Sequence, residues 1–495
     1  MSDNHQTAID QAMNYIQQEK EKVNRDPWRL VYHVSAMANW MNDPNGFSYY
    51  NGEYHLFYQH HPFSPEWGPM YWGHAKSKNL AHWEHLPIAL APSEDYDQDG
   101  CFSGSAIEKD GKLYLMYTGN TWTGEDRDTD LKQVQCIAVS DDGVHFKKIS
   151  DNPVISSAPE GDIHPFHFRD PKVWEYEGVY YCVLGSRTIE HKGQALLYRS
   201  KDLLEWEFVN IALKGEGNVA GFMWECPDIF RLEGKDVLVM SPQGMKPEGE
   251  LYHNLHQAGY LLGELNYQDG TMKHDKFQLL DYGFDFYAPQ TTIDDQGRRI
   301  MIAWMAMWES EMPEQKRGWA GAMTIPRQLV LKEDIIYSIP VEELKELRTG
   351  EVSYENQPVE GEKEFSGVEG DCFELEMIID TNSADQFGVK LRKDDNLNQS
   401  TILSFDRNSG LVELNRNSSG DGPGGVRKAP VRLHENKLKL HLFVDKSSVE
   451  VFINDGEQVM SARIYPGEES KGISIFSEDS IVVESLKKWT IKSAF

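Results

Sequence analysis

Three acidic residues in this chain stand in similar surroundings: Asp43 in WMNDPNG, Asp170 in FRDPKVW and Glu225 in WECPDIF. An Asp-Pro pair by itself is most often a surface turn, and most of the 79 acids are solvated surface. A recurring setting of aromatics and proline is different. Carboxylates brought together repel, so folding stability alone would not select them. Two converging carboxylates are the equipment of glycoside hydrolysis: one attacks the anomeric carbon, the other protonates the leaving oxygen and then takes a proton from water. Asp43 lies beside the amides of Asn42 and Asn45, which favour an ionised nucleophile. Glu225 follows Phe222, Met223 and Trp224, a setting that would desolvate it, raise its pKa and suit a general acid. Trp40, Trp67, Trp72, Trp224 and Trp308 offer apolar faces to sugar rings, although core packing explains most of the 13 tryptophans.

The elements that must position these acids form a repeat. A glycine followed by apolar residues recurs at Gly52, Gly111, Gly178, Gly234 and Gly297, at steps of 56 to 67 residues. In three units a later segment carries a serine with an aromatic six residues on: Ser77/Trp83, Ser140/Phe146 and Ser200/Trp206. Repeated short-strand units that cannot bury their own faces must stack on one another, and radial stacking gives a β-propeller. The spacing predicts five blades. Asp43, Asp170 and Glu225 precede their glycines by nine, eight and nine residues, which predicts one register on the innermost strands and convergence on the axis.

Beyond the repeat, FELEMIID (Phe373–Asp380), FGVKLRK (Phe387–Lys393), KLKLHLFVDKSSVEVFINDG (Lys437–Gly456), GISIFSE (Gly472–Glu478) and IVVESLKKWTI (Ile481–Ile491) alternate with period two. That is the pattern of antiparallel strands with one buried face. The chain is therefore read as all-β, a five-bladed β-propeller followed by a C-terminal antiparallel β-sandwich. The expected division is a helical extension at 1–29, the propeller at 30–337, a linker with a short helix at 338–356, and the sandwich at 357–495.

Acids exceed bases by 30 in this 495-residue chain, which argues against nucleic acid or an anionic membrane as partner. No secretion-type pattern opens the chain and no apolar run is long enough to span a bilayer. Five scattered cysteines fit neither a disulfide framework nor a zinc pattern, so a reducing cytoplasm is expected. The histidine-rich stretches FYQHHPF and DIHPFHF lack metal-ligand spacing, so no metal or other cofactor is expected.

WMNDPNG, FSGSA (Phe102–Ala106), FRDPKVW and WECPDIF, in that order, resemble glycoside hydrolase family 32, the β-fructofuranosidases, and DKSSVEVFINDG resembles that family's C-terminal sandwich. The resemblance implies retaining hydrolysis of a terminal β-fructoside, a small-molecule substrate, without cofactor. It implies Asp43 as nucleophile, Glu225 as acid/base, and Asp170 with Arg169 as transition-state stabilisers. Asn42, Gln59, Trp67, Phe102, Ser103 and Trp308 would line the fructose subsite, with Trp304 a competitor for the last place. The text from Trp67 to Pro92 is similar to the bacterial intracellular branch that splits sucrose 6-phosphate. Candidate phosphate contacts are His60, His61, Lys76, Arg187, His191, Lys192, Lys246, Lys316 and Arg317. Plain sucrose, an exo-inulinase or levanase activity, fructosyl transfer, and a sugar-binding protein without catalysis stay open. The sandwich either braces the propeller or forms a homodimer contact.

Overall fold

The computed structural model describes residues 3–381, 384–394, 396 and 398–495. Five antiparallel sheets follow one another along the chain. Their innermost strands are Asn39–Tyr50, Cys101–Lys109, Phe168–Tyr176, Met223–Leu232 and Tyr287–Ile293. Each contacts the next, and the fifth contacts the first, so the ring closes. This is the five-bladed propeller expected from the glycine repeat. The repeating glycines stand in the first hairpin turns with positive φ, 75–88°. The repeating serines tie the turn into the fourth strand: Ser77, Ser140 and Ser200 Oγ accept from Asn79, Gly143 and Leu203 N–H at 3.2, 2.8 and 3.0 Å.

Every innermost strand carries a one-residue bulge at the same place. The pairing register slips between Met41 and Pro44, Phe102 and Gly104, Arg169 and Lys172, Glu225 and Asp228, and Tyr287 and Gln290. Pro171, Pro227 and Pro289 lie within three of the bulges, where a missing N–H does no harm, and Pro44 closes a fourth. Gly104 stands in the fifth because a Cβ there would lie 2.0 Å from Met116 O. A bulge breaks the strict alternation of a strand and re-aims its side chains.

The ring is clasped by the segment between the second and third strands of blade five, whose Trp319–Ala320 pairs in parallel with Asn39–Trp40 of blade one. The helix Asp3–Val23 is not a free surface helix. Its Ile9, Ala12 and Ile16 pack on Ile88 and Ala91 at the outer edge of blade one.

The last strand of blade five runs Ile335–Pro340, and the VEELKELR text forms a 3-10 helix, Glu342–Leu347. Residues 348–356, expected as linker, already belong to a long strand, Arg348–Glu369. It pairs along its length with Gly472–Ile491, a single strand where two were expected. Gly472–Ser477 of this strand pairs with Gln386–Asp394, and Val482–Thr490 with Phe373–Asp380. The pair thus passes from one layer of the sandwich into the other. Leu403 and Leu414 from one layer meet Leu375, Leu440 and Val451 from the other in one core.

The sandwich is bolted to the propeller by buried charges. His33 bonds Asp445 and Glu450, both at 2.9 Å, and Arg327 bonds Asp281 and Glu450. Asp285 pairs with Arg416 and Arg463 at 2.7 and 3.0 Å.

Candidate active site

The bulges set the acids in two tiers. At the bulge itself stand Asp43, Ser103, Asp170, Cys226 and Ala288, the lower tier. One residue earlier stand Asn42, Phe102, Arg169, Glu225 and Tyr287, the upper tier. The glycine count put all three acids at one register, and this is corrected. Asp43 counts nine only because its strand has a second bulge between Asn45 and Ser48, so it matches Asp170. Glu225 counts nine because it stands one residue above, and Cys226 fills the lower-tier place.

Contacts run around each tier. In the lower tier Ser103 Oγ donates to Asp43 Oδ2 at 2.8 Å, and Cys226 Sγ lies 3.5 Å from the same oxygen and 3.7 Å from Asp170 Oδ2. Cys226 N–H also donates to Asp170 Oδ2 at 3.0 Å. In the upper tier Arg169 donates from Nη2 and Nε to Glu225 Oε1 at 2.7 and 3.2 Å. Tyr287 O–H donates to Glu225 Oε2 at 2.6 Å, and Gln243 Nε2 at 2.8 Å. Asn42 links the tiers, donating to Asp43 Oδ1 at 3.2 Å while accepting from Trp40 Nε1 at 2.7 Å.

All ten residues singled out in the sequence line one cavity of about 240 Å³: Asn42, Asp43, Gln59, Trp67, Phe102, Ser103, Arg169, Asp170, Glu225 and Trp308. Trp308 is half-buried on the wall, while Trp304 is fully buried behind it, ring centroids 5.0 Å apart, so the two tryptophans divide into lining and support. Met70, Trp122, Arg127, Leu131, Gln133 and His167 also line the cavity but escaped the sequence reading. They lie outside the four motifs, mostly in or beside the loop between the second and third strands of blade two. Tyr287 and Gln243 escaped it too. FYAPQTT, which carries Tyr287, holds the matching place on the fifth inner strand but has no acid there.

The electrostatics invert part of the sequence reading. Burial, reinforced by the charge of Glu225, pushes the Asp43 carboxyl up to about 6, against its bonds from Ser103, Asn42 and Cys226. Burial pushes Asp170 up as well; Arg169 opposes this, and the charges of Glu225 and Asp43 add to it. Burial alone would raise Glu225, but the Arg169 charge and the bonds from Tyr287 and Arg169 hold it below the usual carboxylate range. Neighbouring aromatics were expected to leave Glu225 desolvated and protonated. Phe222 in fact points outward, and an arginine occupies the place beside the carboxylate.

None of the nine residues named for phosphate, six lysines or arginines and three histidines, lines the cavity, and burial lowers the pKa of His60 and His61. Arg187 is held by Asp128, Lys76 by Glu53, Lys192 by Glu190 and Arg317 by Asp26. In the histidine-rich stretches, His60 and His61 share their Nδ1 with Trp40 O and Glu66 O, and His167 bridges Asp128 O and Arg169.

Residues 33–340 match the family model described as "Glycosyl hydrolases family 32 N-terminal domain", and residues 343–492 match "Glycosyl hydrolases family 32 C terminal". The chain belongs to glycosyl hydrolase family 32. It is therefore a glycoside hydrolase, and the sugar-binding reading without catalysis falls away. A family 32 relative from Zymomonas mobilis, named sucrose-6-phosphate hydrolase, is 42% identical over 94% of this chain and 93% of its own. The β-fructofuranosidase structure from Bombyx mori superposes with a TM-score of 0.87 at 37% identity, covering 99% of each chain. The sucrose-6-phosphate hydrolase structure from Lactobacillus gasseri does so with 0.87 at 31% identity, covering 98% of this chain and 97% of that one.

Proposed function

We propose that the protein is a retaining β-fructofuranosidase that splits sucrose 6-phosphate into glucose 6-phosphate and fructose, and also accepts sucrose. The observation that carries this reading is the two-tier arrangement: Asp43 deep in the cavity, Glu225 above it, each with its own hydrogen-bond partners. The Asp43 carboxylate attacks the anomeric carbon of the fructosyl unit. Glu225 protonates the glycosidic oxygen, and glucose 6-phosphate leaves. Water then attacks the fructosyl ester, Glu225 takes its proton, and fructose departs with the original configuration. Asp170 and Arg169 hold the fructose hydroxyls. Arg169 has a second task in this reading. A sugar hydroxyl that takes up its donors frees Glu225 from its counter-ion, and burial then pushes that carboxyl up, as an acid needs.

A reducing cytoplasm fits five buried cysteines, all free, and no helix among the described residues is long and apolar enough to cross a membrane. A homodimer through the sandwich stays a proposal that sedimentation would test.

Sucrose, sucrose 6-phosphate, inulin and levan, assayed side by side, test the substrate. The highest kcat/KM is expected for sucrose 6-phosphate, and a higher value for inulin would reject the reading. Proton NMR during the first turnovers should show the β-anomer of fructose before mutarotation, and initial α-fructose would reject retention.

A further inference from the structure

We infer that Arg127 is the anchor for the phosphate of the leaving sugar. The inference rests on the sucrose 6-phosphate reading and names the group that would select it. Only two arginines and no lysine line the cavity. One, Arg169, is committed to Glu225. The other, Arg127, comes from the loop between the second and third strands of blade two, and its side chain is exposed at the mouth.

The guanidinium lies over the faces of Trp122 and Trp67, 5.1 and 5.6 Å from their centroids. These rings continue the wall through Phe102, whose centroid is 6.4 Å from Trp122 and 6.1 Å from Trp67. No hydrogen bond or ion pair engages Arg127 among the described residues. A guanidinium lodged against two aromatic rings keeps its N–H groups available, and these can donate to two phosphate oxygens.

The loop carries four acids, of which Glu125 is exposed and Asp126, Asp128 and Asp130 are engaged in holding the loop. Asp128 bonds Arg187 at 2.9 Å. Asp126 accepts from Asp128 N–H at 2.9 Å, and Asp130 accepts from Asp126 N–H at 3.2 Å. They fold the turn that carries Arg127.

A cavity of about 240 Å³ is filled by the fructosyl unit and part of the second sugar, so the phosphate on that sugar emerges at the mouth. Every residue proposed for phosphate from the sequence lies elsewhere, and Arg127 is placed to meet it.

The test is the ratio of kcat/KM for sucrose 6-phosphate to that for sucrose, in the wild type and in Arg127→Gln and Arg127→Lys. The Gln variant should lower the ratio about 10- to 100-fold, the scale of a lost charge-assisted contact, mainly through KM for the phosphorylated substrate. The Lys variant should recover part of it. Glucose 6-phosphate should inhibit the wild type more strongly than glucose does, and Arg127→Gln should erase that difference. A ratio unchanged in Arg127→Gln, or equal losses on both substrates, would overturn the anchor while leaving the hydrolase reading intact. A wild type without preference for sucrose 6-phosphate would instead reject the substrate reading itself, before any variant is made.

Discussion

Arg169 Nη2 lies 2.7 Å from Glu225 Oε1, an ion pair between the upper-tier residues of two neighbouring blades. It keeps a half-buried glutamate ionised in the free protein, although the proposed role of Glu225 needs a proton. The pair therefore makes the pH profile informative. Removing the cation in Arg169→Gln should raise the pKa of Glu225, and of Asp170, which Arg169 also holds down. The profile of kcat/KM against pH, which reports the free enzyme, should shift to higher pH as kcat/KM falls. The acids titrate together, so the shift belongs to the cluster rather than to one residue. An unmoved profile would show that Arg169 does not set the charge of the site.

Asp43→Ala and Glu225→Ala should fail in different ways. Loss of Asp43, the proposed nucleophile, should cost about 10,000-fold or more in kcat on every substrate. Loss of Glu225, the proposed acid, should cost about 100- to 10,000-fold on sucrose and far less on a fructosyl fluoride, whose leaving group needs no proton. Steady-state rates on the two substrates check this, with circular dichroism to confirm the fold. Equal losses from Glu225→Ala on both would remove it as the acid.

Trp308 and Trp304 separate binding from support. Trp308→Ala should raise KM about tenfold, the scale of a lost aromatic contact, with little change in melting temperature. Trp304→Ala should cost about 3–5 kcal/mol of stability, as for other buried tryptophans. Thermal melts and KM values on the pair decide the matter.

His33 supplies a stability switch at the propeller–sandwich contact. Burial alone would lower its pKa, but bonds and charges from Asp445 and Glu450 raise it to about 9. Its contribution is complete below the unfolded value near 6.5 and is lost as pH rises through about 9. Against burial, Asp445 is depressed by His33, and Glu450 by the charge of Arg327 and then by His33. Their share is present above their unfolded values near 4 and disappears on acidification. The melting temperature should fall between pH 8 and 10, and His33→Gln should flatten that fall. A variant with the wild-type slope would show that His33 is not its source.

Much of the site was legible because propeller blades repeat. Glycine-marked units and motif text are local features, so Asp43, Asp170 and Glu225 could be assigned to inner strands without coordinates. What misled was counting. One residue of bulge in a strand moves a side chain to another tier, and the sequence text of a bulge differs from that of a strand only by a proline or a glycine. Hence Cys226, not Glu225, proved to be the counterpart of Asp43 and Asp170.

The amino-acid sequence by itself determined the blade number, the sandwich and which three acids meet in one cavity, because these follow from period, alternation and motif, which are written along the chain. Only the tertiary structure decided which groups stand beside those acids. Arg169 meets Glu225, Tyr287 closes the upper tier from another blade, and Arg127 arrives on a loop that matches no motif. Ring closure brings together residues up to 62 positions apart in the Glu225 contacts alone. The field at a carboxylate depends on such neighbours and on burial, neither of which is encoded within the few residues around it.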